Sequence, residues 1–209
     1  MLTVTDNYFF GAAFKHTNAS EIIHPRELLK QDKTKQLCLS NNTIIIVSIK
    51  NHSLLLETIK LLMKFKIRTI FLIINTLNER LLTVTVSGIT VLSGKSQPQK
   101  IIEIINQTQQ KEYYPPIVKL EKITPQDWAI LLCLFRGLDR KIISTLFNIS
   151  EKAISFRVNL VCSKLKIPHR NRAQKIHTLE VFFTIFHSQN NGNMENQDSI
   201  LNIPCAFCI

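Results

Sequence analysis

Residues 150–166 (SEKAISFRVNLVCSKLK) hold the side chains best suited to grip another molecule. At about 100° per residue, Ile154, Val158, Val161 and Leu165 form one apolar stripe. Lys152, Ser155, Phe156, Asn159, Ser163 and Lys166 gather on the opposite side. That side offers amide and hydroxyl groups, positive charge and one aromatic ring. An Asn amide can pair with the edge of adenine, and an apolar ring can touch a thymine methyl. Phe156 is as well placed to join a core if the helix is rotated. Arg140, Lys141, Arg157, Lys164, Arg170 and Arg172 flank the stretch and suit phosphate oxygens, the source of salt-dependent affinity. The chemistry implied is recognition of double-stranded DNA.

Catalysis finds little support. The six histidines (His16, His24, His52, His169, His177 and His187) lack metal-ligand spacing with cysteines or acids. The five glycines form neither a dinucleotide-binding fingerprint nor a phosphate loop, and no nucleophile elbow occurs. We therefore expect no enzyme: no catalytic residue, no metal and no cofactor. Five scattered cysteines (Cys38, Cys133, Cys162, Cys205 and Cys208) argue against a disulfide framework and for a reducing compartment. Cys205 and Cys208 have redox-like spacing without the strand–helix context that such a pair needs.

The elements that must position the reading face are legible on either side of it. Ser150 suits an N-cap. A short helix over 139–147 precedes it across the turn Asn148-Ile149, which makes a helix-turn-helix. Upstream, Thr124-Pro125-Gln126-Asp127 is a helix-start signature, with Trp128, Leu131, Leu132 and Phe135 as its apolar face. Gly137 suits the left-handed position after that helix, and Asp139 can cap the next. Downstream, Asn171 can cap a fourth helix over 172–187, with Ile176, Leu179, Phe183 and Phe186 on one face and Phe182 widening it. Phe182, Phe183 and Phe186 are candidates for a dimerisation surface, or else they close the core of their own small domain.

Residues 1–110 alternate strand and helix signals. Strands are expected at 2–5, 43–49, 68–74 and 88–92, and helices at 8–16, 53–65 and 98–107. Such alternation implies an α/β domain with a parallel sheet. Residues 111–122 are polar and contain Pro115-Pro116, so they read as a linker. Residues 123–187 form the all-α four-helix unit, and the Asn/Gln-rich residues 188–209 read as a disordered tail.

The net charge of +11 favours an acidic partner. Residues 119–187 hold 12 basic and 5 acidic side chains, so the helical unit is the denser source of charge. Apolar runs near residues 54–74 are broken by Glu57, Lys60, Lys64, Lys66 and Arg68, too charged for a bilayer. No signal peptide and no membrane association are expected, and a cytoplasmic, nucleoid-associated location follows.

The run from Ile123-Thr-Pro-Gln-Asp-Trp through Gly137-Leu-Asp-Arg-Lys, and on through Ile149-Ser-Glu-Lys-Ala-Ile-Ser-Phe-Arg-Val-Asn-Leu-Val, resembles the bacterial LuxR-type (GerE) helix-turn-helix. The chain departs from that pattern at Ile142, Ala153, Ser155, Arg157 and Lys166, where the family usually has Glu, Thr, Lys, His and Gly. Residues 1–110 are similar, more weakly, to a response-regulator receiver. Asp6 matches one of that family's acids, Thr5 replaces the other, and Lys95 matches its lysine. Where the family has its phosphoacceptor Asp, Ser48, Ile49 and Lys50 stand. The resemblance therefore implies a pseudo-receiver without aspartyl phosphorylation, since one Asp cannot supply both acceptor and metal ligands.

In length and in the missing phosphosite the chain also resembles auxiliary enterobacterial regulators of capsule and surface-structure genes. That implies a transcription regulator acting as a homodimer or as the partner of another response regulator. The alternatives are an adaptor that binds no DNA and modulates another regulator through the pseudo-receiver, and a sigma-factor-like polymerase contact.

Overall fold

The computed structural model describes residues 1–15, 21–30, 43–65, 69–74, 83–110, 115, 117, 123–165, 167 and 171–190. The first half contains β1 (Leu2–Thr5), α1 (Tyr8–Lys15), β2 (Glu21–Ile23), α2 (Pro25–Lys30), β3 (Ile44–Ser48), α3 (His52–Lys64), β4 (Thr69–Ile74), β5 (Thr83–Val86), β6 (Ile89–Ser93) and α4 (Pro98–Gln109). The second half contains α5 (Pro125–Phe135), α6 (Arg140–Phe147), α7 (Glu151–Lys164) and α8 (Arg172–Asn190).

The β-branched runs become the centre of one sheet with strand order β2-β1-β3-β4-β6-β5. β2, β1, β3, β4 and β6 are parallel, as buried apolar strands without alternation require. Each strand feeds two cores by turns. Ile45, Val47, Ile70 and Leu72 point to the face covered by Leu28 of α2 and Leu55, Ile59 and Leu62 of α3. Ile46, Phe71, Ile73 and Leu92 point to the other, under Phe14 of α1 and Ile101, Ile104 and Ile105 of α4.

The sheet departs from the sequence reading. β5 runs antiparallel to β6, so the sheet is mixed rather than wholly parallel. Its hairpin turns at Ser87 (φ 49°) and Gly88 (φ 80°), and positive φ at both positions is the geometry that matches the twist of adjacent strands. The short pair β2–α2 was not anticipated from sequence.

The second difference concerns how the halves meet. α8 packs on α3 and reaches β5. Thr178, Leu179, Val181, Phe182, Thr184 and Ile185 are all buried, which takes up more than one side of α8. Ile74, Val84, Val86, Ile89 and Val91 of the sheet belong to the same apolar core as Leu179, Val181, Phe182 and Ile185. α8 thus serves the helical half and the sheet together. It also continues through residues 188–190, which the sequence assigned to the tail. Residues 191–209, with Cys205 and Cys208, lie outside the described residues. Of the linker, Ile117 pairs in parallel with Thr85 beside β5. Among the described residues no helix is long and apolar enough to cross a membrane.

Candidate nucleic-acid interface

Local chemistry sets every boundary around α7. Thr124 Oγ1 accepts from the Asp127 amide at 3.2 Å and Asp127 Oδ2 accepts from the Thr124 amide at 3.4 Å, closing a capping box at the start of α5, and Thr124 Oγ1 also donates to Asp127 Oδ2 at 2.7 Å. Gly137 (φ 77°) ends α5. Its N–H donates to the Leu134 carbonyl at 3.0 Å, and that of Leu138 to Cys133 at 3.1 Å. This double bond pattern needs a left-handed residue, which glycine adopts without steric cost. Asp139 Oδ1 accepts from the Lys141 amide at 2.8 Å and starts α6. Asn148 (φ 49°, ψ 47°) ends α6 in the same left-handed way, and Ser150 Oγ accepts from the Ala153 amide at 3.1 Å to start α7. Asn171 Oδ1 accepts from the Ala173 amide at 2.9 Å and caps α8.

α7 presents the two faces its spacing predicts. Ile154, Val158, Val161 and Leu165 are buried, and Cys162 joins them. Lys152, Phe156, Asn159 and Ser163 are exposed together, and Phe156 keeps 68% of its surface in solvent. That resolves the choice over Phe156: it is outside the core. Leu160, 39% exposed, borders the same face and was missed, because an isolated leucine reads as core by default. Lys141 and Arg172 are exposed, and Lys164 is half-buried. Lys166 and Arg170 lie outside the described residues.

Three polar candidates are tied down inside the chain. Arg157 Nη1 donates to Asp127 Oδ1 at 2.8 Å, and the Asp127 side chain is only 3% exposed. Arg157 therefore joins α7 to the start of α5 rather than standing free for a phosphate. Burial alone would raise the Asp127 carboxyl. The hydrogen bonds from Arg157 and Thr124 outweigh it and hold the group below its ordinary value. Arg140 Nη1 donates to Ser155 Oγ at 2.7 Å, so Ser155 is half-buried against α6 instead of facing outward. Asn159 stays exposed, and its Oδ1 accepts from Lys175 Nζ at 2.9 Å. Lys175 was not among the sequence candidates. Its partner lies sixteen residues away on another helix, beyond any local spacing rule.

The proposed dimerisation aromatics are corrected by packing. Phe182 is fully buried. Phe183 is half-buried, its ring centroid 4.9 Å from that of Trp128 and 5.5 Å from that of Phe135, and Phe186 is half-buried against the core. These rings close the chain's own core, so they form no exposed apolar patch.

At the carboxyl edge of the sheet lie the residues that the receiver resemblance singled out. Thr5 and Ser48 are register partners at the ends of β1 and β3. Asp6, the one carboxylate in the β1–α1 and β3–α3 loops, accepts from the Lys50 amide (2.8 and 3.0 Å) and the Asn51 amide (2.9 Å). Thr5 Oγ1 donates to the Ser48 carbonyl at 2.6 Å. The polar groups here hold backbone. Lys95 is exposed, and its amide donates to Ser93 Oγ at 3.3 Å. Among the described residues no cluster of His, Cys, Asp or Glu is arranged to hold a metal.

No protein-family model and no curated protein sequence matches the chain. Solved structures do. A complex of the two-component response regulator RcsB with DNA aligns with a TM-score of 0.50 at 13% identity, covering 86% of this chain and 97% of that one. A structure of two RcsB dimers bound to two parallel DNAs aligns at 0.47, with 13% identity and the same coverage. RcsB from Salmonella typhimurium aligns at 0.38, with 13% identity, 86% of this chain and 98% of that one. The first alignment spans both halves, so the α/β half and the helical half together share the fold of a response regulator.

Proposed function

We propose that this chain is a sequence-specific, DNA-binding transcription regulator of response-regulator type that works without aspartyl phosphorylation. One observation carries the reading: Lys152, Phe156, Asn159 and Ser163 stand exposed together on a capped helix, the second of a helix-turn-helix pair. A helix so displayed fits the major groove, where hydrogen-bonding groups and thymine methyls distinguish the base pairs. The overall charge of +11 supplies attraction to phosphates. The likeness to a response regulator solved on DNA supports the same reading. LuxR-type membership, a cytoplasmic location and the lack of enzymatic activity belong to this proposal.

Phosphorylation independence rests on Asp6. Its carboxylate accepts from two loop amides, and no second carboxylate stands in those loops to hold Mg²⁺ or take a phosphoryl group. One helix-turn-helix touches few base pairs, so specific action calls for a second copy or another regulator on an adjacent half-site. Phe182 is not available for that pairing.

The test is retention of duplex DNA over a salt series. A regulator of this kind loses affinity steeply between about 50 and 200 mM salt, and Lys141→Ala makes the slope shallower by about one unit. Absence of any duplex binding at low salt would leave the non-DNA-binding adaptor as the reading.

A further inference from the structure

The two halves meet at a cluster of titratable groups that the DNA-binding reading does not use. His52 is the first residue of α3, directly after the loop that Asp6 holds through the Lys50 and Asn51 amides. Its Nε2 lies 2.7 Å from Glu180 Oε2 on α8. Its ring stacks on that of His177, also on α8, with centroids 4.2 Å apart and planes 15° from parallel. Beside this contact lies a cavity of about 130 Å³ lined by Ile49, Lys50, His52, Leu55, His177 and Val181, and the His52 and Glu180 side chains are each 24% exposed. Water thus reaches the imidazoles, while their apolar neighbours join the sheet to α8.

We propose that His52, His177 and Glu180 form a proton-operated latch between the receiver-like half and the DNA-binding half. The groups that face it are Glu180 and His177 from α8, His52 from α3 and Lys50 from the β3–α3 loop. Asp6, in the β1–α1 loop, is bound to the backbone of that same loop. Among the described residues Glu180 is the carboxylate in contact with the pair. With one proton shared by the cluster, an imidazolium sits between a carboxylate and the face of a neutral ring, and every contact is favourable. A second proton places two parallel cations 4.2 Å apart, with the carboxylate of Glu180 to offset them.

Burial and the charge of His52 depress His177, against a smaller upward pull from Glu180. The closed form therefore binds fewer protons at His177 than the open form. Its stability is full above the ordinary histidine value of 6.5 and is lost as pH falls through the depressed value. Acidification frees α8 from α3 and lets the halves move apart.

Small-angle scattering on the full chain tests this, from about pH 8 down to about pH 5, with circular dichroism to confirm that helix content persists. We expect the radius of gyration to rise below pH 6.5 in the wild type. His177→Phe keeps the stacked ring without the titration, so it should stay compact at acid pH. Glu180→Gln removes the carboxylate that supports the charged rings and should move the expansion to a higher pH than in the wild type. A wild-type radius that is constant across the range, or an H177F chain that expands as the wild type does, would overturn the latch.

Discussion

Arg157 and Asp127 show what single side chains contribute here. The pair joins two helices 30 positions apart in sequence, and its acid is almost wholly out of water. Removing one partner of such a pair strands the other without compensation. Arg157→Ala should lower stability by about 2–4 kcal/mol in denaturant titrations, while leaving the salt slope of DNA binding unchanged. The depressed Asp127 carboxyl adds a pH signature. Its stabilisation is complete above the usual value of 3.8 and disappears as pH falls through the lowered one, so the R157A chain should show a weaker acid dependence in that window. Asn159 is the complementary case, exposed and helix-borne. Asn159→Ala should relax preference at one base position by about 1–3 kcal/mol with little loss of stability. Cys162, whose thiol burial pushes up to about 11, should resist alkylation in the native protein at neutral pH.

Helices and turns were the most legible level. Ser150, Asp139, Asn171 and the Thr124–Asp127 box act within four residues of themselves, so their types and spacing carry the answer. The buried stripe of α7 follows from periodicity alone. Long-range partners were not legible. Nothing near Arg157 in sequence points to Asp127, and nothing near Asn159 points to Lys175. β5 was missed because TVTV is four residues long, and short alternation competes poorly with neighbouring apolar runs. Gly137 offers the sharpest test at this scale. A Cβ there would meet no atom within 4 Å, so only the backbone at φ +77° resists a side chain. Gly137→Ala should cost about 1 kcal/mol, seen as a lower denaturation midpoint with an unchanged m-value.

At the scale of the molecule, the sequence separates two units that the structure joins. Linker composition and a change of periodicity set a boundary in the sequence, yet the core runs across it from Val84, Val86 and Val91 to Val181 and Ile185. The local trace of this is that Val181, Phe182 and Ile185 spread the apolar surface of α8 beyond one face, though only the packed structure shows what covers it. Above pH 6.5, where the contact between α8 and α3 is closed, the shared core predicts one cooperative calorimetric transition for the full chain rather than two. Val181→Asp, which places a charge at the junction, should destabilise both halves together. The same burial takes Phe182 wholly out of reach of a second copy and covers much of Phe183 and Phe186.

The central claim is that α7 reads the major groove. The most direct measurement is enrichment of bound duplexes from a random library, comparing the wild-type chain with Asn159→Ala at one salt concentration. The account predicts a defined motif for the wild type, and for the variant the same motif with one position relaxed. Failure of the wild type to enrich any motif, or an N159A motif identical to that of the wild type, would contradict it.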